Sequence, residues 1–480
     1  MMNQVNPDSA SLPCPIAWGA REVPERLALR TPGASYSYRG LDERVRARER
    51  YLREHGVAAG ERVAIRGPNG VDYVEWLWAC WRLEATACLL STRVPPDALP
   101  GLMAQVAAQH LITPENRAET LSGVQCHAWT AGLSTPAQAS ASVGLRPEAP
   151  AVVVFTSGST GTPKAALLSI GNLAENAWGS NLNLPVAPGD RWLLSLPLYH
   201  VGGLGIVWRT ALAGAAVVLP GPGPLSEEIH AQRVTHVSMV STQLVRVLQE
   251  GAAARLRGVR GLLLGGSAIP SGLLEAALEA GLPVHTTYGL TEMGSQVTTT
   301  PPGASAAVLR SSGRLLEGRA LQVEGGEILV RGATRFLGYV EGHTVRRPFD
   351  DAGWFRTGDL GQVDADGYLH VRGRLDNRFI SGGENIHPEE IERALSAQPG
   401  VAEAVVVPVS DAEFGQRPVA FVRMLDPAVR PPSSLLQALR AVLPGYKVPD
   451  ALLPWPLEPG LKPSRPALQA QAERSREDFM

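Results

Sequence analysis

Five short apolar segments in the middle of the chain constrain its fold more than any other sequence feature. They are AVVVF (151–155), RWLLSLP (191–197), AAVVLP (215–220), THVSMV (235–240) and GLLLGG (261–266). Segments of this kind are typical of strands that are buried on both faces of a parallel sheet. Helical patterns lie between them, for example LVRVLQEGAAARL after THVSMV. Because alternating strands and helices build α/β layers, we expect a layered α/β fold.

The flanking sequence completes a large N-terminal lobe. Residues 35–110 repeat the alternation of strand and helix, and VDYVEWLWACWRLEA (71–85) predicts an amphipathic helix. After about residue 310 the sequence changes to short strands separated by glycine-rich turns, which predicts a small β-rich subdomain. We therefore assign residues 1–375 to one lobe of layered α/β subdomains plus this β-rich part.

Residues 376–480 predict a second, smaller α+β lobe. A helix is expected to begin at Pro388, and Glu389 and Glu390 fall in its first turn, where the helix dipole favours carboxylates. Two apolar strands, VAEAVVVPV and PVAFVRM, follow. The polar link Arg374–Asn377 predicts a hinge between the two lobes.

Composition excludes several classes of protein. A net charge of −2 gives no general attraction to nucleic acid or to an anionic membrane. Cys14, Cys80, Cys88 and Cys126 have no metal-binding spacing and are too few for a disulfide framework. The N-terminus lacks a signal-peptide pattern, and no run of about 18 apolar residues occurs. We expect a soluble cytoplasmic protein with no nucleic-acid partner and no membrane insertion.

Lysine is unusually rare in this chain. The total of 44 basic residues contains only three lysines, Lys164, Lys447 and Lys462. Because lysine is normally among the commonest residues, this indicates a general bias toward arginine. A lysine that persists against such a bias marks a position where a compact ammonium group is needed.

A hydroxyl- and glycine-rich segment directly after AVVVF predicts a phosphate-binding loop. The segment TSGSTGTPK supplies glycine backbone N–H groups, hydroxyl donors and one cation. It is not a Walker A loop, because Pro163 precedes the lysine. A plain polar turn is the alternative. The candidate ligands are Thr156, Ser157, Gly158, Ser159, Thr160, Gly161 and Lys164.

With four further motifs, this loop resembles the adenylate-forming superfamily of acyl-CoA synthetases, luciferases and adenylation domains. The other motifs are YGLTE (288–292), TGD (357–359), GRLDN (373–377) and SGGENI (381–386). The resemblance implies a large N-terminal lobe and a mobile C-terminal lobe. It also implies a two-step reaction, in which a carboxylate attacks the α-phosphate of Mg-ATP and a thiol, here that of CoA, then displaces AMP.

The resemblance implies roles for the residues around the nucleotide. Thr156–Lys164 would hold the β- and γ-phosphates, Thr291 would contact the α-phosphate, and Glu292 would bind Mg²⁺. A group of nucleoside contacts would complete the site: Gly266 and Ser267 along the adenine, Tyr288 stacking nearby, Asp359 on the ribose hydroxyls, and Arg374 at the ribose or phosphate. Without the resemblance, these positions are solvated or turn residues.

The resemblance also implies roles in and near the C-terminal lobe. Asp376 would be the hinge residue, and Gly382 and Gly383 would border a pantetheine channel, since backbone without a side chain can approach a narrow ligand. Lys462 would bridge the acyl carboxylate and the α-phosphate during adenylation. Its context, GLKPSRPAL, departs from the common Gly-Lys pattern of the superfamily.

Longer stretches, including WLLSLPLYHVGGLGIVWR and GLKPSRPAL, are similar to one subgroup of these CoA ligases. That subgroup activates the aromatic dicarboxylic acid o-succinylbenzoate in menaquinone synthesis. The resemblance places His200 at the edge of the acyl pocket. The second carboxylate needs a partner, and Arg209 and Arg246 are the candidates, because a buried arginine requires one. A surface arginine or a structural ion pair is the alternative for each.

Three other functions remain open at this stage. The chain could activate another aryl or acyl acid, load a carrier protein, or be a non-catalytic nucleotide-binding relative. The sequence also leaves the oligomeric state open, with a homodimer among the alternatives.

Overall fold

The structure is a computed structural model that describes residues 11–114, 123–133, 143–156, 163–426, 428–456 and 465–477. Thirteen α-helices occur in this part of the chain. They are α1 (Pro15–Glu22), α2 (Tyr38–Glu54), α3 (Val71–Arg82), α4 (Leu99–Gln105), α5 (Ile170–Asn183), α6 (Val201–Ala213), α7 (Leu225–Ala231), α8 (Ser241–Gln249), α9 (Ser271–Glu279), α10 (Ala306–Leu309), α11 (Pro388–Ser396), α12 (Ser434–Arg440) and α13 (Arg465–Glu477).

The same residues contain 28 strands, most of them short. They are β1 (Leu12–Pro13), β2 (Leu27–Arg30), β3 (Ser35–Ser37), β4 (Arg62–Arg66), β5 (Thr86–Leu90), β6 (His110–Thr113), β7 (Gln125–Ala128), β8 (Gly144–Leu145), β9 (Pro150–Thr156), β10 (Lys164–Ser169), β11 (Arg191–Leu193), β12 (Ala216–Val218), β13 (His236–Met239), β14 (Gly261–Leu264), β15 (Val284–Leu290), β16 (Ser295–Thr299), β17 (Arg314–Leu315), β18 (Arg319–Glu324), β19 (Glu327–Gly332), β20 (Gly338–Glu341), β21 (Thr344–Arg346), β22 (Phe355–Val363), β23 (Leu369–Arg374), β24 (Phe379–Ser381), β25 (Glu384–Ile386), β26 (Val401–Asp411), β27 (Gly415–Met424) and β28 (Ala451–Pro454).

A nine-stranded sheet contains four of the five predicted apolar strands. Its order is β17-β16-β15-β14-β13-β11-β12-β2-β3. The six strands from β15 to β2 are parallel, and antiparallel strands close both edges. The predicted parallel sheet is therefore present, and the carboxyl ends of its parallel strands lie along the same side of the sheet.

The fifth predicted strand, β9, lies in a second sheet of mixed direction. This eight-stranded sheet has the order β21-β20-β10-β9-β5-β4-β6-β7. Strand β9 is parallel to β5 but antiparallel to β10, with Thr156 opposite Lys164. A purely parallel setting was the wrong expectation for this strand. The connection to β10 is too short for the crossover that a parallel neighbour needs.

The largest hydrophobic core joins the two sheets through α3 and α6. Trp78 and Trp81 of α3 pack against Trp208 of α6, with ring centroids 5.0 and 5.2 Å from that of Trp208. All ten residues from Tyr73 to Arg82 are buried. The amphipathic pattern predicted for α3 is thus wrong, because the helix lies between layers. Its buried Glu75 is neutralised by ion pairs with arginines of α2.

The β-rich part and the C-terminal lobe follow the prediction closely. Strands β18, β19, β22 and β23 form an antiparallel sheet, although β20 and β21 from the same stretch join the eight-stranded sheet. The C-terminal residues form a three-stranded sheet, β26-β27-β28, flanked by helices. Pro388 is the first residue of α11, as predicted. Among the helices described, none is both long enough and apolar enough to cross a membrane.

Candidate active site

The predicted nucleotide residues follow the ends of parallel strands in the nine-stranded sheet. Gly266 and Ser267 form an exposed bend after β14, and Tyr288 lies near the end of β15. Thr291 and Glu292 follow β15 directly in a 3-10 helix, Thr291–Met293. Ligands of open α/β sheets bind at the carboxyl ends of the strands. The structure thus brings residues from separate motifs to the carboxyl ends of these parallel strands.

Tyr288, Asp359 and Arg374 form one hydrogen-bonded group. The Tyr288 hydroxyl donates to Asp359 Oδ2 at 2.7 Å, and Arg374 Nη1 donates to Asp359 Oδ1 at 2.9 Å. Asp359 and Arg374 are opposite each other on β22 and β23. Burial raises the pKa of Tyr288, and the Asp359 carboxylate raises it further. The tyrosine therefore stays a donor, and both oxygens of the aspartate have fixed partners.

The predicted metal ligand, Glu292, has a partner that the sequence did not reveal. The hydroxyl of Tyr339 on β20 donates to Glu292 Oε1 at 2.6 Å. Burial raises the pKa of Tyr339, and the carboxylate adds to this effect. Lys164 Nζ lies 5.6 Å from the centroid of the same ring. No local sequence pattern around Tyr339 indicates this contact, although a buried tyrosine hydroxyl usually has a partner.

The predicted phosphate loop is described only at its two ends. Thr156 ends β9 and Lys164 begins β10, and Thr156 Oγ1 lies 3.4 Å from the Lys164 carbonyl oxygen. Ser157, Gly158, Ser159, Thr160 and Gly161 lie outside the described residues. The lysine contacts the Tyr339 ring, which links this end of the loop to Glu292.

His200 lies at the N-terminal end of α6, and Arg209 lies within the helix. His200 precedes the first helical residue and is exposed, with its ring 4.8 Å from that of Tyr199. Arg209 is 1% exposed, although it is charged. Its Nη2 lies 3.4 Å from Ser295 Oγ, and its guanidinium is 5.3 Å from the Trp192 ring centroid.

The charge of Arg209 is unusual because no carboxylate of the described residues lies within ion-pair distance. Within the same residues its buried Nε has no hydrogen-bond acceptor. Burial lowers the pKa of Arg209 to about 9, so the side chain is still protonated at neutral pH. Arg246, on the outer side of α8, is exposed. The two arginine candidates therefore have very different surroundings.

The residues predicted around the hinge have defined contacts. Arg374 Nη2 lies 3.3 Å from Asp376 Oδ2, so one arginine pairs with carboxylates on either side of the predicted boundary. Gly382 and Gly383 are the central residues of the β24–β25 hairpin, with φ of +57° and +84°. Positive φ at both positions is typical of a type I′ turn and favours glycine. The hairpin geometry therefore explains these glycines without a channel.

Lys447 and Lys462 are the two remaining lysines. Lys447 Nζ forms an ion pair of 2.7 Å with Glu390 Oε2 on α11, and its side chain is only 14% exposed. This contact is internal to the C-terminal lobe. Lys462 lies outside the described residues.

The fold and these residues define a nucleotide-binding α/β enzyme, and the comparisons with known proteins agree. Residues 16–340 match the AMP-binding enzyme family, and residues 390–456 match the AMP-binding enzyme C-terminal domain. The chain therefore belongs to the family of AMP-binding enzymes. This confirms the predicted superfamily and the predicted fold class.

The relatives are more specific. The chain is 36% identical to the 2-succinylbenzoate–CoA ligase of Salmonella typhimurium, covering 92% of this chain and 94% of the relative. It is 30% identical to o-succinylbenzoate CoA synthetase (MenE) from Bacillus subtilis in complex with the acyl-adenylate intermediate OSB-AMP, with a TM-score of 0.86 over 97% of this chain and 99% of that one. The same Bacillus subtilis enzyme with ATP and magnesium ion gives 30% identity and a TM-score of 0.83, covering 92% and 96%.

Proposed function

We propose that this protein is an AMP-forming ligase that activates o-succinylbenzoate with Mg-ATP and transfers the acyl group to CoA, a step of menaquinone synthesis. One observation of the structure carries the choice of acid: Arg209 is a buried cation with no carboxylate partner among the described residues. A dicarboxylic acid supplies one carboxylate for activation and a second for this guanidinium. A monocarboxylic acid would leave the buried charge uncompensated.

The relatives support the same substrate. The Salmonella typhimurium enzyme is named for 2-succinylbenzoate, and the Bacillus subtilis enzyme was solved with the acyl-adenylate intermediate OSB-AMP. Both align with nearly the whole of this chain. We accordingly assign the second carboxylate to Arg209 rather than to Arg246, because an exposed arginine gains little from one ion pair in water.

In the first half-reaction, an oxygen of the substrate carboxylate forms a bond to the α-phosphorus of ATP. The bond from that phosphorus to the β-phosphate bridging oxygen breaks, and pyrophosphate leaves with the electron pair. Lys164 and the loop from Thr156 to Gly161 would neutralise the β- and γ-phosphates. Thr291 would donate to the α-phosphate. Because charge moves onto phosphate oxygens, fixed donors and cations lower the barrier.

The residues present fit the magnesium ion of Mg-ATP. Mg²⁺ is commonly held by one or two carboxylates together with substrate phosphates, and Glu292 offers one carboxylate whose Oε1 already has a donor. When bound, the ion would withdraw charge from the phosphate oxygens. Asp359 would accept hydrogen bonds from the ribose hydroxyls, while Tyr288 and Arg374 hold its carboxylate in place. Gly266 and Ser267 would lie along the adenine.

In the second half-reaction, the CoA thiol loses its proton to solvent, its sulfur attacks the acyl carbon, and AMP leaves with the electrons of the broken C–O bond. We propose that residues 376–480 move as a lobe between the two steps, with Asp376 at the hinge. The two family matches, which stop at residue 340 and resume at residue 390, support a boundary in this interval. Lys462 would serve the first step, Gly382 and Gly383 the second, and His200 would border the acyl pocket.

An assay of pyrophosphate release with a panel of acids, ATP, Mg²⁺ and CoA tests the proposal. We expect turnover with o-succinylbenzoate to exceed that with benzoate or a fatty acid by at least about 30-fold, the factor that a buried charge pair of roughly 2 kcal/mol provides. Equal turnover with benzoate would instead indicate another aryl-CoA ligase. Acyl transfer that proceeds to a carrier protein but not to CoA would indicate an adenylation enzyme. Since ATP and CoA are the co-substrates, we place the reaction in the cytoplasm.

A further inference from the structure

Tyr339 contacts two residues to which the proposed reaction gives roles at Mg-ATP, Glu292 for the metal and Lys164 for the phosphates. It lies on β20, where it pairs with Ala166 of β10, two residues after Lys164. The residue is 6% exposed. The hydroxyl donates to Glu292 Oε1 at 2.6 Å, and the ring centroid is 5.6 Å from Lys164 Nζ. One buried side chain therefore contacts both the carboxylate and the ammonium group.

The segment that carries Tyr339 forms hydrogen bonds with both the main chain and the side chain of Glu292. The main-chain N–H of Phe336 donates to the Glu292 carbonyl oxygen at 2.8 Å, and the tyrosine hydroxyl holds the carboxylate. Between these two contacts, Gly338 has a φ of +142°, and a Cβ there would lie 2.4 Å from the Arg346 carbonyl oxygen. Only glycine allows this close approach. The position of the tyrosine is thus set by the backbone of β20 and β21.

The hydrogen bond selects between the two carboxylate oxygens of Glu292. A donor at Oε1 restricts rotation of the carboxylate and leaves Oε2 for a cation. Partners of this kind, one shell away from a metal, commonly orient the ligand, and their loss reduces metal affinity about 10- to 100-fold. The ring face also provides a weak attraction for the lysine ammonium.

We propose that Tyr339 is a positioning residue that orients the Glu292 carboxylate toward the magnesium ion of Mg-ATP and supports Lys164 through its ring. This inference rests on the proposed ATP-dependent function. The side chain then has two separate effects. The hydroxyl acts on the metal through Glu292, and the ring acts on Lys164.

The test uses two variants of the full chain. Tyr339→Phe keeps the ring and removes the hydroxyl, whereas Tyr339→Leu removes both. ATP binding is measured by calorimetry with saturating Mg²⁺ and again with EDTA, and the Mg²⁺ concentration for half-maximal pyrophosphate release is measured separately. For Tyr339→Phe we expect the half-maximal Mg²⁺ concentration to rise about ten-fold, with metal-free ATP binding unchanged. Tyr339→Leu should weaken ATP binding also in EDTA.

Controls distinguish this role from a purely structural one. Tyr368→Phe removes a hydroxyl from a ring that lies against Arg314, and it should leave the Mg²⁺ dependence at the wild-type value. In a Glu292→Gln background, Tyr339→Phe should add no further change in Mg²⁺ dependence, because the oriented carboxylate is already lost.

Three results would overturn the inference. They are a Tyr339→Phe enzyme with wild-type Mg²⁺ dependence, one with equal loss of ATP affinity with and without Mg²⁺, and one that no longer folds by circular dichroism. The last result would assign the hydroxyl to the fold. If the wild-type protein itself neither binds Mg-ATP nor releases pyrophosphate, the proposed function fails and this inference fails with it.

Discussion

The Tyr288 hydroxyl donates a 2.7 Å hydrogen bond to Asp359 Oδ2 and so joins the end of β15 to β22. This bond connects the nine-stranded sheet to the β-rich subdomain at the proposed ribose site. Arg374 holds the other oxygen of the same carboxylate. The orientation of Asp359 therefore depends on two donors from separate motifs.

We predict that Tyr288→Phe raises KM for ATP about ten-fold and changes KM for the acid less than two-fold. The substitution keeps the ring at the proposed adenine site but removes one donor to a carboxylate, and a hydrogen bond to a charged group contributes roughly 1.5 kcal/mol or more. Initial rates of pyrophosphate release over a range of ATP concentrations give the values. An unchanged KM for ATP would show that Asp359 does not depend on this bond.

Arg209→Met is expected to stabilise the free enzyme and to damage catalysis. The buried guanidinium has no carboxylate partner among the described residues, so replacing it with an apolar side chain of similar length relieves a desolvated charge. The melting temperature without substrate should rise, while kcat/KM for o-succinylbenzoate should fall at least about 30-fold. Differential scanning calorimetry and initial rates measure the two effects.

Arg246→Met is the matched control for this experiment, because it removes the other candidate arginine from an exposed helix position. It should leave both the melting temperature and kcat/KM near the wild-type values. If Arg246→Met lost activity and Arg209→Met did not, the assignment of the second carboxylate would be reversed.

Lys462→Ala is predicted to abolish adenylation while sparing CoA transfer to pre-formed acyl-adenylate. Its ammonium group would bridge the carboxylate and the α-phosphate only in the first step. Single-turnover measurements of each half-reaction, with o-succinylbenzoyl-AMP supplied for the second, separate the steps. Similar losses in both half-reactions would contradict the assigned role.

Lys447→Ala serves as the control in the same lobe. Lys447 pairs with Glu390 at 2.7 Å, so its loss should lower the stability of the C-terminal lobe and leave both half-reactions near the wild-type rate. Lys447 would then act in the stability of the lobe, whereas the proposed roles of Lys164 and Lys462 are at the phosphates.

The stability of the protein is predicted to fall between about pH 6.5 and pH 4. Burial, together with His110 and His55, lowers the pKa of His127 from its ordinary value of 6.5 to about 4. His127 Nε2 lies 3.1 Å from His110 Nδ1, and the Tyr51 hydroxyl lies 3.3 Å from His127 Nδ1. In this pH range the unfolded chain binds a proton at His127 that the folded chain excludes, so acid favours unfolding.

Urea denaturation at several pH values measures this dependence. His127→Gln should reduce the loss of unfolding free energy between pH 6.5 and pH 4, whereas His343→Gln, at an exposed position, should not. A profile for His127→Gln that matches the wild type would remove this histidine as a cause.

Much of the site could be predicted because it is encoded in short segments. Thr291 and Glu292 directly follow a strand of the parallel sheet, and Asp359 and Arg374 lie on paired strands. The superfamily and the fold class are confirmed. The residue roles, the lobe boundary near residue 375 and a homodimer stay predictions.

Other features could not be predicted because they depend on contacts between distant segments. Tyr339 meets Glu292 only when β20 is placed beside β10, and nothing in its own neighbourhood indicates the carboxylate. The mixed direction around β9 and the full burial of α3 were likewise decided by packing between layers.

The sequence by itself determined the elements, the family and the types of charged group at the nucleotide site, because apolar periodicity and motif spacing are local properties of the chain. Only the tertiary structure decided what each charge faces. Arg209 and Arg246 both lie in helical segments, yet α6 packs into the core next to α3 while Arg246 is on the exposed side of α8. Burial sets the desolvation of a charge, and burial is a property of the packed layers rather than of any segment.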